Sequence, residues 1–542
     1  MKASDLFAKS LEAAGVKYIF GLPGEENLSF LEAIRKSKIK FITTRDEQTA
    51  VFMAATVGRL TGRAGVALST LGPGATNLVT GIAYAQLGGM PLLVITGQKP
   101  IRKSKQGKFQ IIDVVGMMKP ITKMAEQIVS ADRIPPAVIQ AVRIAEAERP
   151  GAVHLEFPED IAEEHSNEKP IPWKKVRRPV PDDKSITAVI AEIEKARSPL
   201  IAIAAGANRK LIRKQLRNFI GKTKIPFVTT QMGKGVEDEG STEYIGTTAL
   251  SADDHVHRAT AAADLILLLG HDITEKPPVL PGSRQKIVHM NFYPADIDHV
   301  YKPYLEVVGD ISHALWCLSE NIKVQKKWDF KKFYRIKQQL AADIAKKTTD
   351  DRFPILPQRF VYDLRRTLPR DAILSLDNGM YKLWISRNYP AYEQNTVLLD
   401  NAFATMGAGL GVGMAAKLIN PDKKVVVVAG DGGFLMNVAD LETAQRLKLD
   451  LIIIILEDSG YGMIKWKQGG MGFKDFGLSF RNPDFVQLAS AFAATGYQVN
   501  SASEFHEILR NALNRQGIHI IALPIDYTEN ARAFGKKAED GE

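Results

Sequence analysis

Lys424-Val-Val-Val-Val-Ala429-Gly430-Asp431-Gly432-Gly433 is the stretch on which the reading of the fold turns. Four valines in succession suit a strand buried on both faces of a parallel sheet. The run stops at a Gly-rich turn. Beyond it Phe434, Leu435, Val438, Leu441, Ala444 and Leu447 recur at helical spacing. A helix starting there offers free N–H groups to an anion, and glycines let the backbone approach it closely. Asp431 stands at the mouth of the turn, where a carboxylate can hold a cation.

The next apolar run, Leu451 to Leu456, ends at Glu457-Asp458-Ser459-Gly460. Parallel neighbours end on one edge of the sheet. The intervening helix therefore returns Asp458 to the side of Asp431, 27 residues earlier. Two carboxylates, one backbone carbonyl and diphosphate oxygens would form a hard oxygen shell suited to octahedral Mg²⁺. An isolated Gly-Asp-Gly reads more simply as a β-turn, and Asp458 as a helix cap. The strand–turn–helix–strand order is what favours a bound ion.

The same alternation runs through the rest of the chain. Strands are predicted at Tyr18 to Phe20, Gly65 to Ser69, Pro91 to Thr96 and Val153 to Phe157. A second set falls at Leu200 to Ala204, Pro226 to Thr229, Leu265 to Leu269 and Lys286 to Met290. A third comprises Ala372 to Leu376, Lys424 to Ala429, Leu451 to Leu456 and Ile518 to Leu523. Strands alternating with helices predict an α/β protein of three parallel-sheet units covered on both faces. The Pro- and charge-rich stretch from His165 to Ser185 reads as a linker, and the charged helical stretch from Lys323 to Pro357 as a second one. Residues from Asp526 onward read as a polar, mobile end.

A formal net charge of +10 would suit an anionic partner. Lys and Arg are nevertheless scattered, and their denser clusters, Arg102 to Lys105 and Lys174 to Arg178, lie in polar connecting segments. No basic–aromatic surface is concentrated enough for nucleic acid, which disfavours a non-catalytic nucleotide- or nucleic-acid-binding protein. A single cysteine, Cys317, excludes an internal disulfide framework and a Cys-rich metal site. No apolar run approaches the ~18 residues of a membrane span. The first residues are amphipathic rather than leader-like, so the expectation is a cytoplasmic chain.

Gly430-Asp431-Gly432 through Glu457-Asp458-Ser459-Gly460-Tyr461 resembles the diphosphate motif of thiamine-diphosphate enzymes. Further motifs extend the resemblance along most of the chain, toward acetolactate synthases. They are Gly21-Leu-Pro-Gly24, Arg45-Asp46-Glu47-Gln48, Gly58-Arg59-Leu60-Thr61-Gly62, Leu71-Gly-Pro73-Gly-Ala-Thr-Asn77, Gln110 and Thr405-Met406-Gly407. The resemblance implies a pyrimidine-binding domain over 1–165, a central domain over 186–325, a pyrophosphate- and Mg²⁺-binding domain over 356–528, and a polar tail over 529–542.

It also implies roles. Asp431, Asp458 and the carbonyl of Gly460 would hold Mg²⁺. Gly379, Met380, Tyr381, Gly430, Gly432, Gly433, Tyr461 and Met463 would contact the diphosphate half of the cofactor. Gly24, Pro73, Asn77, Thr405 and Met406 would contact the remainder, with Met406 wedging the cofactor into a bent shape. Taken by itself, Met406 before a small-residue run is more commonly a core methionine in a close-packed helix. Glu47 would hydrogen-bond the aminopyrimidine ring and exchange a proton with it, and Gln110 would lie near the reactive carbon. Glu47 and the Mg²⁺ site would reach one cofactor from two subunits, making a dimer obligatory and a dimer of dimers common.

The implied reaction is decarboxylation of a 2-keto acid followed by carboligation, with two pyruvates giving 2-acetolactate and CO₂. Another 2-keto acid decarboxylase or an aldehyde carboligase is the alternative. The usual Asn-Asn pair is Glu457-Asp458 here, which resembles the catabolic, flavin-independent enzymes, so FAD is not expected. Gly407 to Gly413 does not fit Gly-x-Gly-x-x-Gly. Two positions depart from the pyruvate-specific pattern: Gly24-Glu25-Glu26 replaces Gly-Ala-Lys, and Lys467 precedes Gln468 where a Gln is usual.

Overall fold

The computed structural model describes residues 1–102, 107–208, 212–248, 255–276 and 285–534. Three six-stranded sheets run through them. The first has β1 (Tyr18–Gly21), β2 (Lys40–Thr43), β3 (Gly65–Ser69), β4 (Leu92–Gln98), β5 (Met124–Gln127) and β6 (Ala152–Pro158), ordered β2-β1-β3-β4-β6-β5. The second has β7 (Pro199–Ile203), β8 (Phe227–Thr229), β9 (Tyr244–Thr247), β10 (Leu265–Leu269), β11 (Lys286–Asn291) and β12 (Leu305–Val308), ordered β12-β11-β10-β7-β8-β9. The third has β13 (Ile373–Leu376), β14 (Val397–Leu398), β15 (Val425–Gly430), β16 (Leu451–Glu457), β17 (Thr495–Gln498) and β18 (Ile518–Pro524), ordered β14-β13-β15-β16-β18-β17. Every strand pair is parallel.

In each sheet the chain steps outward from its first strand and later crosses to that strand's other side. The strand order therefore reverses between β1 and β3, between β7 and β10, and between β13 and β15. Ligands of doubly wound sheets lie outside the carboxyl ends of the strands at such points. The fold thus marks three candidate crevices before any side chain is considered.

The chain packs as two compact units. One gathers Met1–Val176, which holds the first sheet, with Ala402–Asp422 and Leu435–Leu449; the other holds the second and third sheets. In the first unit the N-terminal helix Ala3–Ala13 buries Leu6, Phe7 and Leu11, and Phe7 stacks on Phe30 at 4.8 Å between centroids. Helix Ala408–Ile419 lies so close to helix Glu47–Thr61 that a Cβ on Gly411 would stand 3.2 Å from Phe52 and Thr49. Gly411 therefore serves helix packing.

Three sequence expectations are corrected. The helix expected from Phe434 to Leu447 is broken into Asp431–Met436, Val438–Asp440 and Leu441–Arg446. It breaks at Asn437, whose side-chain amide donates instead to the carbonyl of Gly407 at 2.9 Å. The stretch from Lys323 to Pro357 is no free linker, because helix Lys331–Ala345 buries Phe333, Ile336 and Leu340 in the core on one face of the second sheet. The polar end is packed as far as Phe534, whose ring meets that of Trp384 edge-on at 5.0 Å. Residues 535–542 of that tail, and 103–105 of the basic cluster, lie outside the described residues. Among the described residues no helix is long and apolar enough to cross a membrane.

Candidate active site

At the first crevice, β2 leads through Asp46 into helix Glu47–Thr61, and the Asp46 carboxylate caps it by accepting from the Gln48 amide at 2.7 Å. The cap sets Glu47 in the first turn, almost fully buried at 8% exposure. Its carboxylate accepts from the Asn77 side-chain amide at 3.1 Å and lies 3.3 Å from the Ser69 hydroxyl, which donates to it. Asp440 supports this end from below: its Oδ1 accepts from the Arg45 amide at 2.9 Å and from the Thr443 hydroxyl at 2.7 Å.

The loop after β3 turns at Gly72, with φ +48°, into the short helix Pro73–Asn77. A Cβ on Gly72 would stand 2.7 Å from the carbonyl oxygen of Gln110, so only glycine lets the two loops meet. The structure thus brings Glu47, Asn77 and Pro73 together and places the Gln110 backbone beside them, with the Gln110 side chain exposed. Gly24 closes against Thr70, whose Cβ would lie 2.3 Å from a Cβ at position 24. Thr405 and Met406, both half-buried, precede Gly407, which caps helix Ala408–Ile419 in the left-handed region at φ +86°.

Glu26, one of the departures, is buried rather than displayed. Its carboxylate pairs with the Lys99 ammonium at 2.7 Å and accepts from the Thr70 hydroxyl. Burial works to raise its pKa, but the hydrogen bonds from Lys99 and Thr70 outweigh this and hold it below the ordinary glutamate value. A cation is therefore present at this loop, supplied by the end of β4. Lys467, the other departure, is exposed on helix Gly462–Gly470.

The third crevice is built by β13, β15 and β16. Gly379 starts helix Met380–Asn388 without a side-chain cap. The Tyr381 ring lies against the backbone of Gly379 and Gly430: Cβ atoms there would stand 2.4 and 3.4 Å from its Cε1. Gly433 packs on the Asp377 carboxylate, and Gly432 lies under the rings of Tyr461 and Phe480. Side chains at these turns would fill the space that an anion's approach requires.

Asp431 follows β15 and is buried at 1% exposure. Its Oδ2 accepts from the Ser459 amide at 2.8 Å, the Asp458 amide at 3.2 Å and the Asn482 side chain at 2.8 Å, and its Oδ1 from the Gly432 amide at 2.8 Å. Asp458 follows β16, which pairs with β15 in register, Gly430 opposite Leu456. Burial first, and the Asp431 carboxylate second, push the Asp458 carboxyl up to about 7. Glu457 is pushed up by burial, with Asp431 adding to the shift. The turn continues through Ser459, at φ 52°, to Gly460, which bridges to Ser479. Half-buried Met463 follows in helix Gly462–Gly470.

Among the described residues no group of three or more His, Cys, Asp or Glu side chains forms a closed metal cage. Two carboxylates with a backbone carbonyl beside an anion seat fit Mg²⁺ instead, an ion that keeps open positions for phosphate oxygens. Reading along the sequence missed Asn482, Asp377, Lys382 and Tyr527, which also border this site. Asp377-Asn378-Gly379 after β13 repeats the pattern of an acid at a strand end followed by glycine, and that signal could have found it. Asn482 and Tyr527 sit in irregular stretches with no pattern to mark them.

Comparison with known proteins agrees with this geometry. The family model "Thiamine pyrophosphate enzyme, N-terminal TPP binding domain" matches residues 1–117, the central-domain model 186–318 and the C-terminal TPP binding domain model 377–523. The chain is 33% identical to the acetolactate synthase of Bacillus subtilis (strain 168), over 99% of this chain and 95% of that one. It is 32% identical to a catabolic acetolactate synthase of Raoultella terrigena, over 98% and 96%. A probable acetolactate synthase large subunit of Methanocaldococcus jannaschii is also 32% identical, over 98% and 93%.

The chain therefore belongs to the thiamine-pyrophosphate-dependent enzymes. Within that class it is an enzyme of the acetolactate synthase type, using thiamine pyrophosphate with Mg²⁺ as its usual partner metal.

Proposed function

We propose that this enzyme decarboxylates pyruvate and joins the retained two-carbon fragment to a second pyruvate, giving 2-acetolactate, in the manner of the catabolic, flavin-independent synthases. The cofactor supplies the electron sink for decarboxylation when bound. Asp431, Asp458 and the Gly460 carbonyl would hold the metal, and the turns at Gly379 to Tyr381 and Gly430 to Gly433 would hold the diphosphate. Glu47, kept in place by Asn77 and Ser69, would hold and pass a proton at its carboxylate when the cofactor's pyrimidine ring is bound beside it. A homodimer sharing its sites, or a pair of such dimers in the cytoplasm, completes the reading.

The single observation that carries it is the pair Asp431 and Asp458 on adjacent strand ends beside an uncapped helix start. Mg²⁺, thiamine pyrophosphate and pyruvate alone are expected to yield acetolactate and CO₂ in 1:2 stoichiometry to pyruvate consumed. Added aldehyde should change the product little. CO₂ release without acetolactate, or turnover only with an aldehyde present, would overturn the acetolactate assignment in favour of a decarboxylase or carboligase.

The second crevice supports the flavin-independent reading. A flavin diphosphate would need the loop amides between β7 and β10. Gly206 instead donates to the Gly270 carbonyl at 2.7 Å, and the Glu275 carboxylate accepts from the amides of Ala205 at 2.9 Å and Met232 at 3.2 Å. These residues do not fit a bound dinucleotide phosphate. Burial pushes Glu275 up to about 7. The folded state therefore holds its proton over a range where the unfolded chain has lost it, so its contribution to stability falls as pH rises from the ordinary glutamate value through about 7. Glu275→Gln should flatten this part of the pH–Tm profile, and an unchanged slope would show that Glu275 is not the group responsible.

A further inference from the structure

Lys382 is a lysine in the interior, 6% exposed, on the first turn of helix Met380–Asn388. Its ammonium donates to Asn378 Oδ1 at 2.6 Å, the Asp400 backbone carbonyl at 2.9 Å and Asn401 Oδ1 at 3.3 Å. All three are neutral oxygens, and together they span the loops that follow β13 and β14. One of those loops leads into Gly379 to Tyr381, and the other into Thr405 and Met406. The ammonium is thus a peg between the loop after β13 and the start of the loop after β14.

The charge around it is one-sided. Asp377, Asp431, Glu457 and Asp458 border the same crevice, and Lys465, which acts on Asp458, is already paired with Asp475 at 2.9 Å. A polyanion on an acid-lined seat is repelled by those carboxylates, and a nearby positive charge offsets the repulsion. We propose that Lys382 is a positioning residue that pins the loops after β13 and β14 to each other beside the diphosphate seat and offers its positive charge to the bound anion. This rests on the site assignment given under Proposed function.

Burial lowers the ammonium to about 8, against the pull of Asp400 and Asp377, the acids that act on it. Near pH 8.5 the amine is therefore mostly neutral before the cofactor binds, and a bound polyanion restores its charge. Asp458, at about 7, is already ionised there. The Tyr381 and Tyr527 phenols, raised well above their ordinary value by burial, stay protonated.

The test uses the full chain with saturating Mg²⁺. Thiamine pyrophosphate binding is followed by intrinsic tryptophan fluorescence, to which Trp384 on the same helix contributes, and by calorimetry in two buffers of different ionisation enthalpy. The wild type should take up protons near pH 8.5, where the Asp458 carboxyl is already ionised. Lys382→Met should weaken binding about tenfold at pH 7 and abolish the uptake. Lys382→Gln should behave likewise, with wild-type thermal stability as the control. Binding by the wild type with no proton uptake near pH 8.5 overturns the proposal, as does unchanged affinity and uptake in a folded variant. If the wild type does not bind the cofactor near pH 7, the site assignment itself is wrong, a result distinct from either.

Discussion

Glu47→Gln is expected to bind thiamine pyrophosphate within about threefold of the wild type while carboligation falls about 10²- to 10³-fold, the span that one positioned proton-transfer group supplies. The substitution is nearly isosteric. A glutamine at 47 keeps one side-chain oxygen to accept from Asn77 or Ser69, so the packing of helix Glu47–Thr61 survives. What is lost is a group able to gain and give up a proton. The split between binding and rate is therefore the signature. It is read from cofactor titration beside steady-state acetolactate formation, with exchange of the cofactor's C2 proton as a direct check. Wild-type rates in the variant would remove Glu47 from the chemistry, and a parallel loss of cofactor affinity would reduce it to a packing residue.

Asp431→Ala should act on the opposite step. Affinity for thiamine pyrophosphate is expected to fall by about 100-fold or more, with the Mg²⁺ requirement lost from the titration. The cause is double. A metal ligand goes, and four hydrogen bonds that fold the β15 and β16 ends around one carboxylate go with it. Leaving buried amides unpaired costs about 1–3 kcal/mol each where water cannot replace the acceptor. Asp431→Asn separates the two effects, because the amide oxygen can still accept from the Ser459 and Asp458 amides while the charge is removed. The asparagine variant should fold and melt like the wild type yet bind metal poorly. Equal cofactor binding in both variants and the wild type would place the diphosphate elsewhere.

Glu47 and Asp431 were legible for different reasons. Asp431 lies in a linear pattern, a valine strand running into Gly-Asp-Gly-Gly, where local chemistry alone requires close backbone approach. Glu47 carries no such local mark and was assigned through the resemblance of Arg45-Asp46-Glu47-Gln48 to known enzymes. Its two donors, Asn77 and Ser69, are brought to it only by the order of β1, β2 and β3. Lys382 and Glu275 were not legible. A lysine in a first helical turn and a glutamate in a loop look like solvated residues, and only the packed chain shows them buried.

The sequence by itself determined the α/β class and the interior of every sheet. Each of the strands predicted from it occupies a central position, because a strand covered on both faces must be a continuous apolar run. None of the six edge strands, β2, β5, β9, β12, β14 and β17, was predicted, and Met124–Gln127 and Thr495–Gln498, half-exposed or more throughout, show why. An edge strand forms because a neighbour offers hydrogen-bonding groups, and that neighbour is supplied by tertiary structure. The same holds for the site. The turns that approach an anion are written locally in glycine, whereas the polar side chains that border it, Asp377, Asn482 and Lys382, were decided only when separate strand ends met on one edge of the third sheet.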